Sequence, residues 1–162
     1  MQMGRGFKKT LGTGDPAPVV ALVDASGVAH SLDILLATGP VLLAFFKVTC
    51  PTCQLTLPFL GRLAGSGVRI IPVSQDDPAA TRDFAKEFGL TVPSMYDRAE
   101  DGYPASSAFG LTTVPSLFLI QRERRIAWDL VGFHRKELEV LAGRIGQPIF
   151  YAGDMVPDLK AG

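Results

Sequence analysis

Apolar residues fall into distinct patterns along this chain, and each pattern predicts a different element. Val41-Leu42-Leu43-Ala44-Phe45-Phe46 is a continuous apolar run of strand length behind the breaker Gly39-Pro40, as in a central strand covered on both faces. Val20 to Val23 and Val28 to Leu32 flank the turn-forming Asp24-Ala25-Ser26-Gly27, which predicts a β-hairpin. Further strands are expected over Val68 to Ser74, Ser94 to Tyr96, Ser116 to Ile120 and Ile126 to Val131, the last two joined by the turn Gln121 to Arg125. Elsewhere the spacing turns helical. Leu57, Leu60, Leu63 and Ala64 predict a helix from Cys53 to about Leu63, kinked at Pro58 because an interior proline removes a backbone hydrogen bond. Asp77-Pro78 supplies a cap and a first-turn proline for a helix that carries Phe84, Ala85 and Phe88 on one face and stops at Gly89. A short helix is expected over Ala105 to Phe109. A last one, with Leu138, Leu141, Ala142 and Ile145 at i, i+3, i+4 and i+7, ends at Gly146.

Strands that alternate with helices, followed by two strands on a short turn and a closing helix, describe one α/β domain around a mixed sheet. We place this domain at residues 14–146, with a flexible N-terminal arm over 1–13 and a weakly patterned tail over 147–162. Its working end should lie where the strand ending at Phe46 hands over to the helix.

Composition narrows the function. At 162 residues and 47% hydrophobic content the chain suffices for one sizeable core. Sixteen basic side chains balance sixteen acidic ones, so no global field draws a nucleic acid or an anionic bilayer. No stretch approaches the roughly 18 apolar residues of a membrane span, so membrane insertion is not expected. The basic opening lacks the apolar stretch of a secretory signal. As it stands the chain is expected in the cytoplasm, or in the periplasm or outside if a leader has been removed.

The chain has two cysteines, and both lie in Cys50-Pro51-Thr52-Cys53, directly after the apolar run. A strand that delivers two thiols to the start of a helix is suited to a reversible dithiol/disulfide, because free N–H groups and the helix dipole favour thiolate there. Cys50 is expected to be the exposed nucleophile and Cys53, one turn on, the shielded resolving thiol. Lys47 could add positive charge nearby, although a lysine at a strand end is commonly just solvated. A zinc site needs four ligands, and only His30 and His134, both far away in sequence, accompany the cysteines. No metal and no cofactor are expected. Trp128 and the set Phe45, Phe46, Phe84, Phe88, Phe109 and Phe118 read as packing residues, and the turn Arg122-Glu123-Arg124-Arg125 as a solvated hairpin end.

The segment Val41 to Pro58 resembles the strand, CxxC and proline-containing helix of the thioredoxin superfamily. Val114-Pro115 before a strand resembles its cis-proline loop. The segment Asp76 to Gly110, with Phe84-Ala85-Lys86-Glu87-Phe88-Gly89-Leu90, together with Ala108-Phe109-Gly110-Leu111-Thr112-Thr113-Val114-Pro115 and the N-terminal hairpin, is similar to the TlpA/ResA-like and redoxin (AhpC/TSA-like) branch. The resemblance covers about Gly14 to Gly146. It implies a thioredoxin-like fold with a hairpin extension and a thiol–disulfide oxidoreductase. The implied substrate platform is Val114 and a cis Pro115, with Pro51 and Thr52 between the cysteines. The implied partners are a disulfide-containing protein or small thiol and an upstream thiol reductant or oxidant. Three positions depart from the family pattern: Thr49 where an aromatic is usual, Pro51-Thr52 where Gly-Pro or Glu-Pro is usual, and Ala44 where thioredoxin carries a buried acid. Two other readings remain. A peroxidase of the same branch would want a Thr where Lys47 stands and an Arg near the site. A non-catalytic module would use the basic turn for docking.

Overall fold

The computed structural model describes residues 9–162; the first eight residues of the expected arm lie outside the described residues. Seven strands form one mixed sheet: β1 (Ala21–Val23), β2 (Ala29–Ser31), β3 (Val41–Phe46), β4 (Arg69–Ser74), β5 (Met95–Tyr96), β6 (Ser116–Ile120) and β7 (Ile126–Val131). Their order is β2-β1-β5-β4-β3-β6-β7. β3 runs parallel to β4, with Val41 opposite Arg69, and antiparallel to β6, with Val41 opposite Ile120. All six residues of β3 are buried, which is why its sequence is apolar on both faces. Successive side chains of β3 point to opposite faces. Phe45 meets Phe109 and Phe118 at ring-centroid distances of 5.5 and 6.0 Å, whereas Phe46 packs on Phe84 at 5.0 Å.

Among the described residues five helices accompany the sheet: α1 (Leu32–Leu35), α2 (Pro51–Leu60), α3 (Pro78–Phe88), α4 (Pro104–Phe109) and α5 (Arg135–Ile145). None among the described residues is long and apolar enough to cross a membrane. α2 begins at Pro51, two residues before the expected start, because Cys50 caps it, and Gly61–Leu63 prolong it as a 3-10 turn. Leu32 opens α1 instead of ending the hairpin, since the Ser31 hydroxyl accepts the Ile34 N–H as an N-cap. Asp77 and Gly89 bound α3 as their residue types predict, the first through its side chain and the second through φ 75°.

Part of the expected arm is bound to the domain. Leu11 N–H donates to the Phe109 carbonyl at 2.9 Å, and the Thr10 hydroxyl to the Gly110 carbonyl at 2.6 Å. The Thr13 N–H and hydroxyl both donate to Asp129, at 2.8 and 2.6 Å. Gly110 has φ 70°, and a Cβ there would stand 2.7 Å from the Lys9 carbonyl oxygen, so only glycine lets the two segments approach. The tail is packed too. Ile149 is buried, and Phe150 sits between Phe59 and Phe133 at 5.1 and 6.1 Å. Two short strands, β8 (Phe133–His134) and β9 (Leu159–Lys160), then pair antiparallel.

One buried acid organises the approach to the Val114-Pro115 loop. Asp97, 2% exposed, accepts the N–H of Ala105 at 3.0 Å, the N–H of Ser106 at 2.7 Å and the Ser106 hydroxyl at 2.5 Å. It thereby caps α4 from outside, where the preceding residue Tyr103 has no capping bond of its own and sits at φ 49°. Asp97→Ala would leave three buried donors unpartnered and should cost about 3 kcal/mol. Urea denaturation checks this: the midpoint should fall with the slope unchanged, and a loss below about 0.5 kcal/mol would contradict the capping role.

Candidate active site

The chain leaves β3 at Phe46 and reaches α2 through Lys47-Val48-Thr49, a loop held from two sides. Asp76 accepts the Val48 N–H at 2.8 Å, and the Gln54 side-chain amide donates to the Val48 carbonyl at 3.0 Å. Cys50 N–H then donates to the Lys47 carbonyl at 3.2 Å. This positions Cys50 as the N-cap of α2, with its sulfur accepting the Cys53 N–H at 3.2 Å and Pro51 in the first turn. The sulfur occupies the place of a serine or aspartate oxygen at a helix start. There a negative charge is stabilised by unpaired N–H groups and the helix dipole. Cys50 is half-buried, Cys53 is buried, and both thiols are free. Burial foremost, and then the neighbouring Cys50 sulfur, push the Cys53 thiol well up from the ordinary thiol range, with the Asp76 charge acting in the same direction.

Sequence-distant residues close the site. The Val114–Pro115 peptide bond is cis, as expected. The Cys50 thiol donates to the Val114 carbonyl at 3.5 Å, so the two predicted halves meet. Pro115 is buried, and its carbonyl accepts the Gly132 N–H at 2.9 Å. Pro51 is exposed beside the cysteines. Thr52 differs from an open platform residue. It is 2% exposed, and its hydroxyl donates to the Ala161 carbonyl at 2.6 Å. Val114, 9% exposed, is covered likewise, since Gly162 lies directly against its carbonyl.

Lys47, Gln75, Tyr103, Ser106, Thr113 and Val114 line a cavity of about 430 Å³ next to this centre. Gln75 donates to the Ser106 hydroxyl at 2.8 Å, which in turn binds Asp97. The loop residues Gln75 and Tyr103 thus come close to the site, although nothing in sequence spacing places them there. Asp76 is the contributor that sequence reasoning missed: Ala44 is buried in the sheet centre as a packing residue, and the acid whose charge reaches Cys53 comes from the end of β4. Its signal was only its position directly after a strand that pairs with β3.

His30 pairs with Asp24 at 2.7 Å in the hairpin, and no cluster of three metal-binding side chains occurs among the described residues. Trp128 is buried at 5% exposure in β7. In the basic turn, Arg124 pairs with Asp33 at 3.5 Å and Arg125 donates to the Gly14 carbonyl at 2.8 Å, so two of its cations hold neighbouring segments.

Comparison with known proteins agrees with this architecture. The thiol-disulfide oxidoreductase ResA of Geobacillus thermodenitrificans (strain NG80-2) is 30% identical over 135 residues, covering 80% of this chain and 75% of that protein. The thiol:disulfide interchange protein DsbE of Escherichia coli (strain K12) is 32% identical over 111 residues, covering 66% of this chain and 58% of that protein. Among solved structures, a thiol:disulfide interchange protein from Bacteroides sp. shares the fold with a TM-score of 0.72 at 19% identity, covering 85% of this chain and 93% of the other. The Redoxin family profile matches residues 12–142, from the bound N-terminal segment through the cysteine pair into α5. This chain therefore belongs to the Redoxin family, as a ResA-like member of the thioredoxin superfamily.

Proposed function

We infer that the protein is a thiol–disulfide oxidoreductase in which Cys50 attacks and Cys53 resolves. The observation that carries this reading is the Cys50 sulfur itself: it is half-exposed, caps α2 and accepts the Cys53 N–H at 3.2 Å. A sulfur at that place is open to a client on one side and within one helical turn of the second thiol on the other, the arrangement disulfide exchange requires. In the reducing direction the Cys50 thiolate attacks one sulfur of a client disulfide. The Cys50–client bond forms as the client disulfide breaks, and the second client sulfur leaves as a thiol. Cys53 then loses its proton and attacks the Cys50 sulfur, which releases the other client sulfur and leaves a Cys50–Cys53 disulfide. Two electrons pass from the pair to the client. An upstream thiol returns them, and the reverse sequence oxidises a client with the same two atoms.

The ResA and DsbE relatives, a thiol-disulfide oxidoreductase and a thiol:disulfide interchange protein, support this reading, as does the family membership. We assign Val114, Pro115, Pro51 and Thr52 to the surface that receives the client, because the Val114 carbonyl stands 3.5 Å from the attacking sulfur, Pro115 follows Val114, and Pro51 and Thr52 lie between the two cysteines. Clients are disulfide-containing proteins or small thiols. In a reducing compartment a thiol donor keeps the pair reduced, whereas outside the cytoplasm the pair needs a dedicated electron supply. Peroxide reduction lacks its hydrogen-bonding hydroxyl, since the residue three before Cys50 is the exposed Lys47.

Insulin reduction in dithiothreitol, followed by turbidity, tests the assignment. Wild type should accelerate precipitation at least tenfold over Cys50→Ser, and equal rates would sink it. A second expectation concerns pH. Burial raises the Cys53 thiol and remains when Cys50 is tied up in a mixed disulfide, so below that raised value the thiolate fraction grows about tenfold per pH unit. Single-turnover release of client from the mixed disulfide should therefore speed up with a log–log slope near one between pH 6 and 9. Asp76→Asn, which removes a charge that holds the Cys53 thiol up while keeping an acceptor for Val48 N–H, should increase release at fixed pH severalfold. Slower release in that variant would instead make Asp76 a proton acceptor.

A further inference from the structure

The segment after α5 consists of an anchored base and an exposed arm. At the base, Ile149 is 1% exposed and its carbonyl accepts from Arg62 at 2.9 Å. The Arg62 guanidinium also binds Asp154 at 2.6 Å and lies over the rings of Phe59 and Tyr151 at 4.8 and 4.0 Å. Beyond Asp154 the contacts thin out. Met155 is 96% and Leu159 64% exposed, and of this stretch only Val156 packs partly against the core. It is held by the Asp158 carbonyl, which accepts the Arg135 N–H at 2.9 Å, and by the β8–β9 pairing.

The tip of this arm rests on the reactive centre. Lys160 to Gly162 pass over Gly132, where a Cβ would stand 3.0 Å from the Lys160 carbonyl oxygen and 3.4 Å from the Gly162 nitrogen. The Ala161 carbonyl takes the Thr52 hydroxyl, between the two cysteines, at 2.6 Å. At Gly162 a Cβ would fall 2.2 Å from the Val114 carbonyl oxygen and 3.1 Å from the Thr113 hydroxyl, so the backbone is pressed onto the atom that accepts the Cys50 thiol. A client strand cannot use Thr52 and the Val114 edge while the tip lies there.

We propose that Lys160–Gly162 is an internal competitor for the client site: a strap, tethered at Ile149 to Asp154, that a client segment must displace before it reaches Cys50. The proposal rests on Cys50 being the attacking thiol and Val114 lining the client site. Tethering keeps the tip at high effective concentration, while its few contacts make opening a local and cheap event. When only a fraction of molecules is open, the apparent client affinity falls by that fraction, so a strap closed about nine-tenths of the time raises KM about tenfold. Small reagents that need no strand-like docking feel the strap less.

The test compares wild type, the chain cut after Asp158, and Gly162→Val, whose side chain would collide with the Val114 carbonyl and expel the tip without shortening the chain. An oxidised peptide disulfide serves as client. Both variants should lower its KM about tenfold with kcat unchanged, and a synthetic peptide spanning Asp158 to Gly162 should restore the high KM to the cut chain competitively. A readout independent of turnover is alkylation of reduced Cys50 by a bulky maleimide, which should be several times faster in both variants. Unchanged KM in both variants overturns the proposal, as does faster alkylation without a fall in KM. If no variant, wild type included, turns over the peptide, the oxidoreductase reading fails separately. In that case alkylation alone decides whether the strap covers Cys50.

Discussion

A single contact, the Cys53 N–H donated to the Cys50 sulfur, is where fold and chemistry become the same thing. Every helix start carries unpaired N–H groups, and something must accept them. In this protein the acceptor at the head of α2 is the sulfur we assign as the nucleophile. β3 has to end at Phe46 so that the following turn delivers position 50 to that spot, and β3 is fixed by burial on both faces and by pairing with β4 and β6. The Asp76 and Gln54 bonds to Val48 then set the path of the three intervening residues.

The two sulfurs share one turn of helix yet live in different media, and that difference imposes an order on the chemistry. Cys50 lies at the rim where a client can meet it. Cys53 lies within the core, where burial resists its ionisation. A resolving thiol that ionised readily would attack the mixed disulfide as soon as it formed and release the client at once. Keeping its proton prolongs the mixed disulfide, and Ala44 in the sheet centre is consistent with this because it supplies no carboxylate to take that proton. The acid that does act on Cys53 is anchored to a backbone N–H at the rim instead of sitting beneath the helix.

How much of this could be read from the chain follows from the range of the interactions. β3, α3 and the stop at Gly89 depend on local pattern, a cap and a permissive glycine, and they formed where those signals stood. The Cys50–Cys53 pair and the cis Val114–Pro115 bond were legible through motif and resemblance. The start of α2 was misplaced by two residues because a cysteine is not on the usual roll of capping residues, although its sulfur accepts as they do. Asp97 was invisible for another reason: its donors lie eight and nine residues on, across a turn, with no fixed spacing to betray them. The bound arm at Lys9 to Thr13 and the packed tail were equally hidden. Both take their order from partners about a hundred residues away, which no local pattern in either segment announces.

That last class of contact explains why Thr52 and Val114, expected as an open platform, are covered. The loop that precedes β6 presents main-chain groups beside the cysteine pair, and an extended strand can pair with such groups. A segment of the same chain takes that place at no cost in partner concentration. The small side chains at its tip keep it from sealing the site, because a tip with a buried apolar side chain would cost a client several kcal/mol to dislodge. Ala161 and Gly162 bury almost no side chain, and the arm leading to them is exposed. Coverage with little adhesion is the combination that shields a thiolate between turnovers and still yields to a client.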